Sequence, residues 1–180
     1  KIIAILLMQL TLLAVVIATC MGFQMYHRYY HFELGQSVMH LMVYGMLSNL
    51  VWLFISIFVH TLFKNYLAGF FVLLTLFIGL PFLYMVGVEQ EIYQFNQGPD
   101  LDYSDMDGFG YMLPFLTYRI YWILFAVFFA IISLLLWRRG SLSGVGERWT
   151  ILKANLSPAT TAILIFTFVG FIGIGSAISY

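Results

Sequence analysis

A chain of 180 residues with 62% hydrophobic, 19% aromatic and only 9% charged side chains lies far from soluble domains, in which about a quarter of residues are charged. The formal net charge is zero, yet the charges are segregated by loop, so the balance says nothing about nucleic acid and the sign pattern speaks to topology instead. Cys20 is the single cysteine, which excludes an internal disulfide and any cysteine-based metal centre. These features define an all-α integral membrane protein.

A bilayer core of about 30 Å needs about 20 apolar residues in helical form. Five segments reach that length: Ile2 to Phe23, Val38 to Phe63, Tyr66 to Val88, Leu116 to Trp137 and Ala159 to Tyr180. The first is too long for a signal-peptide core and no small-residue cleavage site follows it, so it reads as a span. The chain opens at Lys1 and stops at Tyr180 while still apolar, which reads as a portion of a longer protein.

After the first span comes QMYHRYYHFELGQS, where Tyr26, Tyr29, Tyr30 and Phe32 suit the headgroup layer. His27 and His31 are four apart with Glu33 nearby, a spacing that also admits a weak metal or proton site. In the second span His40, Tyr44, Ser48, Trp52, Ser56 and His60 recur every four residues and, with Gly45 and Asn49, form a polar ridge. Met46, Leu50, Leu53, Phe54 and Ile57 form the opposite, apolar side. Such a ridge serves either interhelical packing or the wall of a translocation path. His40 and His60 lie about 30 Å apart along an α-helix, too far to share a metal. In the third span Gly79 and Pro81 predict a kink.

The stretch from Glu89 to Leu116 holds six of the eight acids and no Lys or Arg. Each carboxylate at mid-bilayer would cost about 3 kcal/mol, so the segment reads as a loop outside the membrane. Gly98-Pro99-Asp100 and Asp107-Gly108 are turn signals. An EF-hand alignment on Gly108 fails, because Tyr103 and Pro114 fall where Asp and Glu are required. Arg119 is the only cation nearby and is expected to pair with Asp105 or Asp107 of the loop, beside Asp102.

Arg138 and Arg139 form a cationic stop, Glu147 to Asn155 reads as an amphipathic surface helix, and Ser157 with Pro158 caps and starts the fifth span. Gly173 and Ala177 are small residues that would allow close helix contact. Asn155-Leu156-Ser157 matches a glycosylation sequon on the side predicted to be cytoplasmic. Lys1, Lys64, Arg138, Arg139, Arg148 and Lys153 collect on one side, against Arg28 and Arg119 on the other. By the positive-inside rule, residues 89–116 are external and 138–158 cytoplasmic.

No P-loop, HExxH or GxSxG is present, so this stretch is not read as catalytic and no metal is assigned to it.

Four blocks, HFELG (His31 to Gly35), YSDMDGFG (Tyr103 to Gly110), YRIYW (Tyr118 to Trp122) and LWRRG (Leu136 to Gly140), resemble the membrane portion of bacterial type-2 ABC transporter permeases fused to a gluzincin zinc aminopeptidase. Asp107 stands where that pattern often has Asn. The resemblance implies a permease region over 1–140, a cytoplasmic linker over 141–158 and an anchor helix over 159–180. The first four spans would match helices three to six of a six-helix permease half in a bacterial inner membrane. It further implies an ABC ATPase subunit that binds ATP, a second permease half or homodimer, and a zinc-holding peptidase downstream of Tyr180. Two other readings stand beside it: a non-transporting anchor for that peptidase, and a proton- or metal-linked carrier using the histidines.

Overall fold

The computed structural model of the protein describes residues 2–28, 30, 34–63, 65–100, 103–104, 106, 108–110, 112–137 and 145–179. In chain order these form α1 (Ile2–Tyr26), α2 (Leu34–Val38), a π-helix (Met39–Gly45), α3 (Met46–Leu62), α4 (Tyr66–Gly79), two 3₁₀ helices (Leu80–Val86 and Glu91–Tyr93), α5 (Met112–Leu136), α6 (Val145–Asn155) and α7 (Pro158–Ser179). Among the described residues the only non-helical pairing is one bridge between Ser104 and Gly108. Five helical runs are long and apolar enough to cross a bilayer: Ile3–Tyr26, Gly35–Leu62, Tyr66–Val86, Met112–Leu136 and Pro158–Ser179. The protein is an all-α, multi-pass membrane protein.

Its apolar side chains point outward in a way only lipid tolerates. Ile3, Met8 and Val15 on α1, and Phe166 and Val169 on α7, are each at least 60% exposed. A helix apolar around its whole circumference belongs in a hydrocarbon solvent. Several hydroxyls within the spans are satisfied on their own helices. Thr19 donates to the Val15 carbonyl, Thr75 to Phe71, Ser133 to Phe129 and Ser179 to Gly175, all at 2.8 Å. This removes the penalty that an unpaired polar group would carry in lipid.

The chain divides into two units, Lys1–Asn49 with Leu101–Gly110, and Leu50–Asp100 with Tyr111–Tyr180. In the first, Leu13 of α1 is buried, and a Cβ on Gly45 would meet its methyl at an ordinary 3.7 Å. Ser104 and Gly108 exchange two 2.8 Å backbone hydrogen bonds, with Gly108 at φ +63°, closing a tight loop that carries fully exposed Met106 at its tip.

In the second unit, the buried core is Val51 of α3, Ile92, and Tyr121, Trp122 and Ala126 of α5. Helix α7 packs along α5: Tyr121 stacks on Phe171 at 4.4 Å, and Phe128 meets Phe168 at 5.7 Å. The close approach is made at Gly170 and Gly175, where a Cβ would come within 3.1 Å of Leu124 and 3.0 Å of Tyr121. Gly173, which with Ala177 has a spacing that allows close helix contact, faces open space. Its side of the helix points away from α5.

The break predicted from Gly79 and Pro81 falls at the right place and takes the form of a change in winding. The helix tightens from α to 3₁₀ at Leu80, just before the proline that lacks an amide donor. It ends in a Schellman motif, with Val88 N–H donating to Leu83 and Gly87 N–H to Tyr84, each at 3.2 Å, and Gly87 at φ +95°.

Ser157 caps α7 as its sequence promised. Its Oγ accepts from Thr160 N–H at 3.2 Å, and the Thr160 hydroxyl accepts from Ser157 N–H at 2.8 Å. A helix is present over the predicted segment as α6, and Asn155 at its end donates to the Leu135 carbonyl at 2.8 Å, satisfying one of the acceptors left open at the end of α5.

Candidate functional site

The acidic connector is less uniform than its charge suggests. Its first part, after α4, is folded against α5, while α5 itself begins at Met112, four residues earlier than the composition predicts. Glu91–Tyr93 forms a 3₁₀ turn whose Ile92 is 6% exposed in the core. The following strap, Gln94 to Gly98, is pinned at every residue. Gln94 donates to the Val88 carbonyl at 3.0 Å. The Phe95 ring sits edge-on to Trp52 at 4.9 Å and Trp122 at 5.2 Å. Asn96, at φ +60° and 6% exposed, takes a left-handed conformation that asparagine tolerates better than most side chains. The Gln97 carbonyl accepts from Trp122 Nε1 at 2.8 Å. Gly98 lies so close to Tyr118 that a Cβ there would stand 2.8 Å from the tyrosine Cβ.

At the centre is Arg119, 2% exposed on the first turns of a membrane-spanning helix. Its Nη1 donates to both the backbone carbonyl and the Oδ1 of Asn96 at 3.3 Å, and its guanidinium lies 5.3 Å from the Phe115 ring centre. Placing an arginine at the middle of a span costs about 3 kcal/mol on insertion scales, so it is held near an end and among acceptors and a π-face. The expected pairing with Asp105 or Asp107, and Asp102 beside them, lies outside the described residues. Sequence pointed to Arg119 as the cation of the region; it gave no sign of Asn96 as a partner, because nothing in the spacing of 96 and 119 marks two positions that meet only in the folded chain.

The depth of the strap follows from α5. With the aromatic belts of Tyr118 and Trp137 as interfaces, the helix between them is about 28 Å long, a bilayer's hydrocarbon thickness. Trp122 and Ala126 then lie about 6 and 12 Å inside, and Ile92 and Phe95 pack against this region. The strap itself starts from the interface level, where Gly98 lies against Tyr118, and its Phe95 ring reaches inward among Trp52, Trp122 and Phe125.

The residues of the polar ridge of the second span fall in both units. In the first unit, residues Met39–Gly45 wind as a π-helix, and His40 stacks on Tyr44 with ring centres 5.4 Å apart and planes 11° apart. Ser48 and Asn49 follow, half-buried. In the second unit, Trp52 packs edge-on against Phe77 of α4 at 5.4 Å, and His60 stacks on Tyr66 at 5.6 Å while closing over Gly69. Ser56 lies half-buried between them. The fully buried stripe of α3 is Val51, Ile55 and Val59, one position before Trp52, Ser56 and His60. Phe54, from the side expected to be apolar, packs on the core, and Phe58 meets Phe129 at 4.6 Å. His60 and Trp52 are thus packing residues of the α3–α4 contact.

His27 is exposed beside Phe23, whose ring centre is 4.5 Å away, and His31 and Glu33 lie outside the described residues. Among the described residues no group of three or more His, Cys, Asp or Glu side chains is placed to hold a metal ion. Comparison of the chain with family models, with curated proteins and with solved structures finds no match.

Proposed function

We propose that the protein is the membrane-spanning permease part of an ATP-driven transporter of the type-2 ABC class, moving an as yet unidentified substrate across a bacterial inner membrane. The observation that carries this reading is the strap. A helical bundle that only tethered another domain would gain nothing from seating an irregular segment among its aromatic side chains and fixing it with a buried arginine, whereas a permease needs a closure at one mouth. Arg119 and Trp122, which hold the strap, belong to the YRIYW block on which the family resemblance rests, and Asn96 and Gln97 are their counterparts in the connector. On this reading residues 89–116 belong to the external side and 138–158 to the cytoplasmic side, an ATPase subunit and a second permease half complete the transporter, and zinc chemistry resides downstream.

The test is co-purification of an ATPase with the full-length chain and measurement of ATP hydrolysis in proteoliposomes. The expected result is hydrolysis that depends on the permease and changes when Arg119 is replaced by Leu. ATP hydrolysis indifferent to the permease would overturn transport in favour of a membrane anchor. Topology is checked separately in intact cells: a membrane-impermeant maleimide should label S104C and spare S143C, and the reverse pattern would invert the orientation.

A further inference from the structure

The first unit contains an open groove of about 420 Å³ between α1, the start of the second span and the closed loop at 104–108. Its polar lining is Gln36, Ser37, His40 and Tyr103, with the thiol of Cys20 on the α1 side. Its apolar lining is Ile17, Leu41 and Phe109. Its lining residues His40 and Leu41 belong to the π-helix, where His40 stacks on Tyr44, and π segments inside helices recur at functional sites. Opposite, Tyr103 and Phe109 stand edge-on at 5.3 Å, a wall fixed by the Ser104–Gly108 hydrogen bonds. Among the described residues, no hydrogen bond takes up the side chains of Gln36, Ser37, His40 or Tyr103.

We propose that this groove binds a phospholipid of the surrounding bilayer, its ester and phosphate oxygens accepting from Gln36, Ser37, His40 and Tyr103 and its acyl chain running along Ile17 and Leu41. Three features select this occupant. The groove opens beside α1, whose Val16, Phe23 and Met25 are exposed on a spanning helix, so lipid reaches it without crossing water. Its described lining has no Lys or Arg, which a free phosphate would need for tight capture. The polar groups are side-chain donors with apolar surface beside them, matching a molecule with an acceptor-rich head and an apolar tail. The site stands whether or not the protein transports.

Cys20 reports on occupancy. The full-length protein is purified in detergent and stripped of lipid, and labelling of Cys20 by N-ethylmaleimide is timed by mass spectrometry of its peptide. Added dioleoylphosphatidylcholine is expected to slow labelling about tenfold and saturably, while inorganic phosphate leaves it unchanged. Each lost hydrogen bond weakens lipid protection about fivefold, so Ser37→Ala and Tyr103→Phe, which remove a single hydroxyl each, should shift the half-protecting concentration by that factor, as should His40→Leu. Three results would overturn the proposal: labelling unaffected by phospholipid, equal protection by an alkane that lacks ester and phosphate, or protection unchanged in all three variants. Protection by phosphate alone would assign the groove to a free anion instead.

Discussion

Replacing Arg119 by Leu tests whether the strap is held by the guanidinium. The substitution removes two hydrogen bonds from Nη1 to Asn96 and the contact with the Phe115 ring. Charged hydrogen bonds contribute about 1.5–3 kcal/mol each, the lower end applying at 3.3 Å, and a desolvated cation–π contact about 1–2 kcal/mol. Against this, leucine relieves the cost of a charge near the bilayer, about 2–3 kcal/mol. The net loss is about 2 kcal/mol, a roughly thirtyfold fall in the ratio of closed to open strap. Trp52 and Trp122 both touch Phe95, so release of the strap would expose two indoles. The measurement is tryptophan emission together with limited proteolysis between Glu89 and Asp100 in detergent. A red shift and faster cleavage are expected, with Arg119→Lys intermediate because an ammonium keeps the charge and loses the fork. Emission and cleavage indistinguishable from the parent in both variants would refute the assignment of Arg119 as the clamp.

Gly69→Ala would place a Cβ 2.6 Å from His60 Nδ1, against a ring stacked on Tyr66 that has little room to yield; a loss of about 1–3 kcal/mol in thermal or denaturant unfolding is expected. Gly175→Val should loosen α5 from α7 by a similar amount by driving into Tyr121, whereas Gly173→Ala, facing open space, should leave stability equal or raised by up to about 1 kcal/mol. Equal effects of the two would contradict the observed helix rotation. Ser157→Ala removes the acceptor for Thr160 N–H and should cost about 1 kcal/mol, measured as hydrogen exchange in the first turn of α7.

The spans were readable from continuous apolar runs, and the α7 cap and the break at Gly79–Pro81 because each depends on residues within one turn of one another. Helix rotation was not. Gly173 and Ala177 have the spacing of a packing motif, yet Gly170 and Gly175 make the contact, since which face meets a neighbour is decided by Phe171 and Tyr121 across the interface. The four-residue ridge presumed uniform α winding from His40 to His60, and MHLMVYG carries no local feature that announces π winding. The acidic stretch was read as wholly solvated because its carboxylates dominate the composition. Ile92, Phe95 and Asn96 lie among them, and their burial rests on Trp122, Ala126 and Arg119, more than twenty residues away.

The hydrogen bond from Asn155 to Leu135 has a mechanical consequence. It ties the end of α6 to the end of α5 only three residues before α7 begins, and α7 then returns along α5 through Phe168, Phe171 and Gly175. These three helices form a closed hairpin fastened at its bend and along its arms. A force applied to the surface helix would tilt both long arms together as one lever.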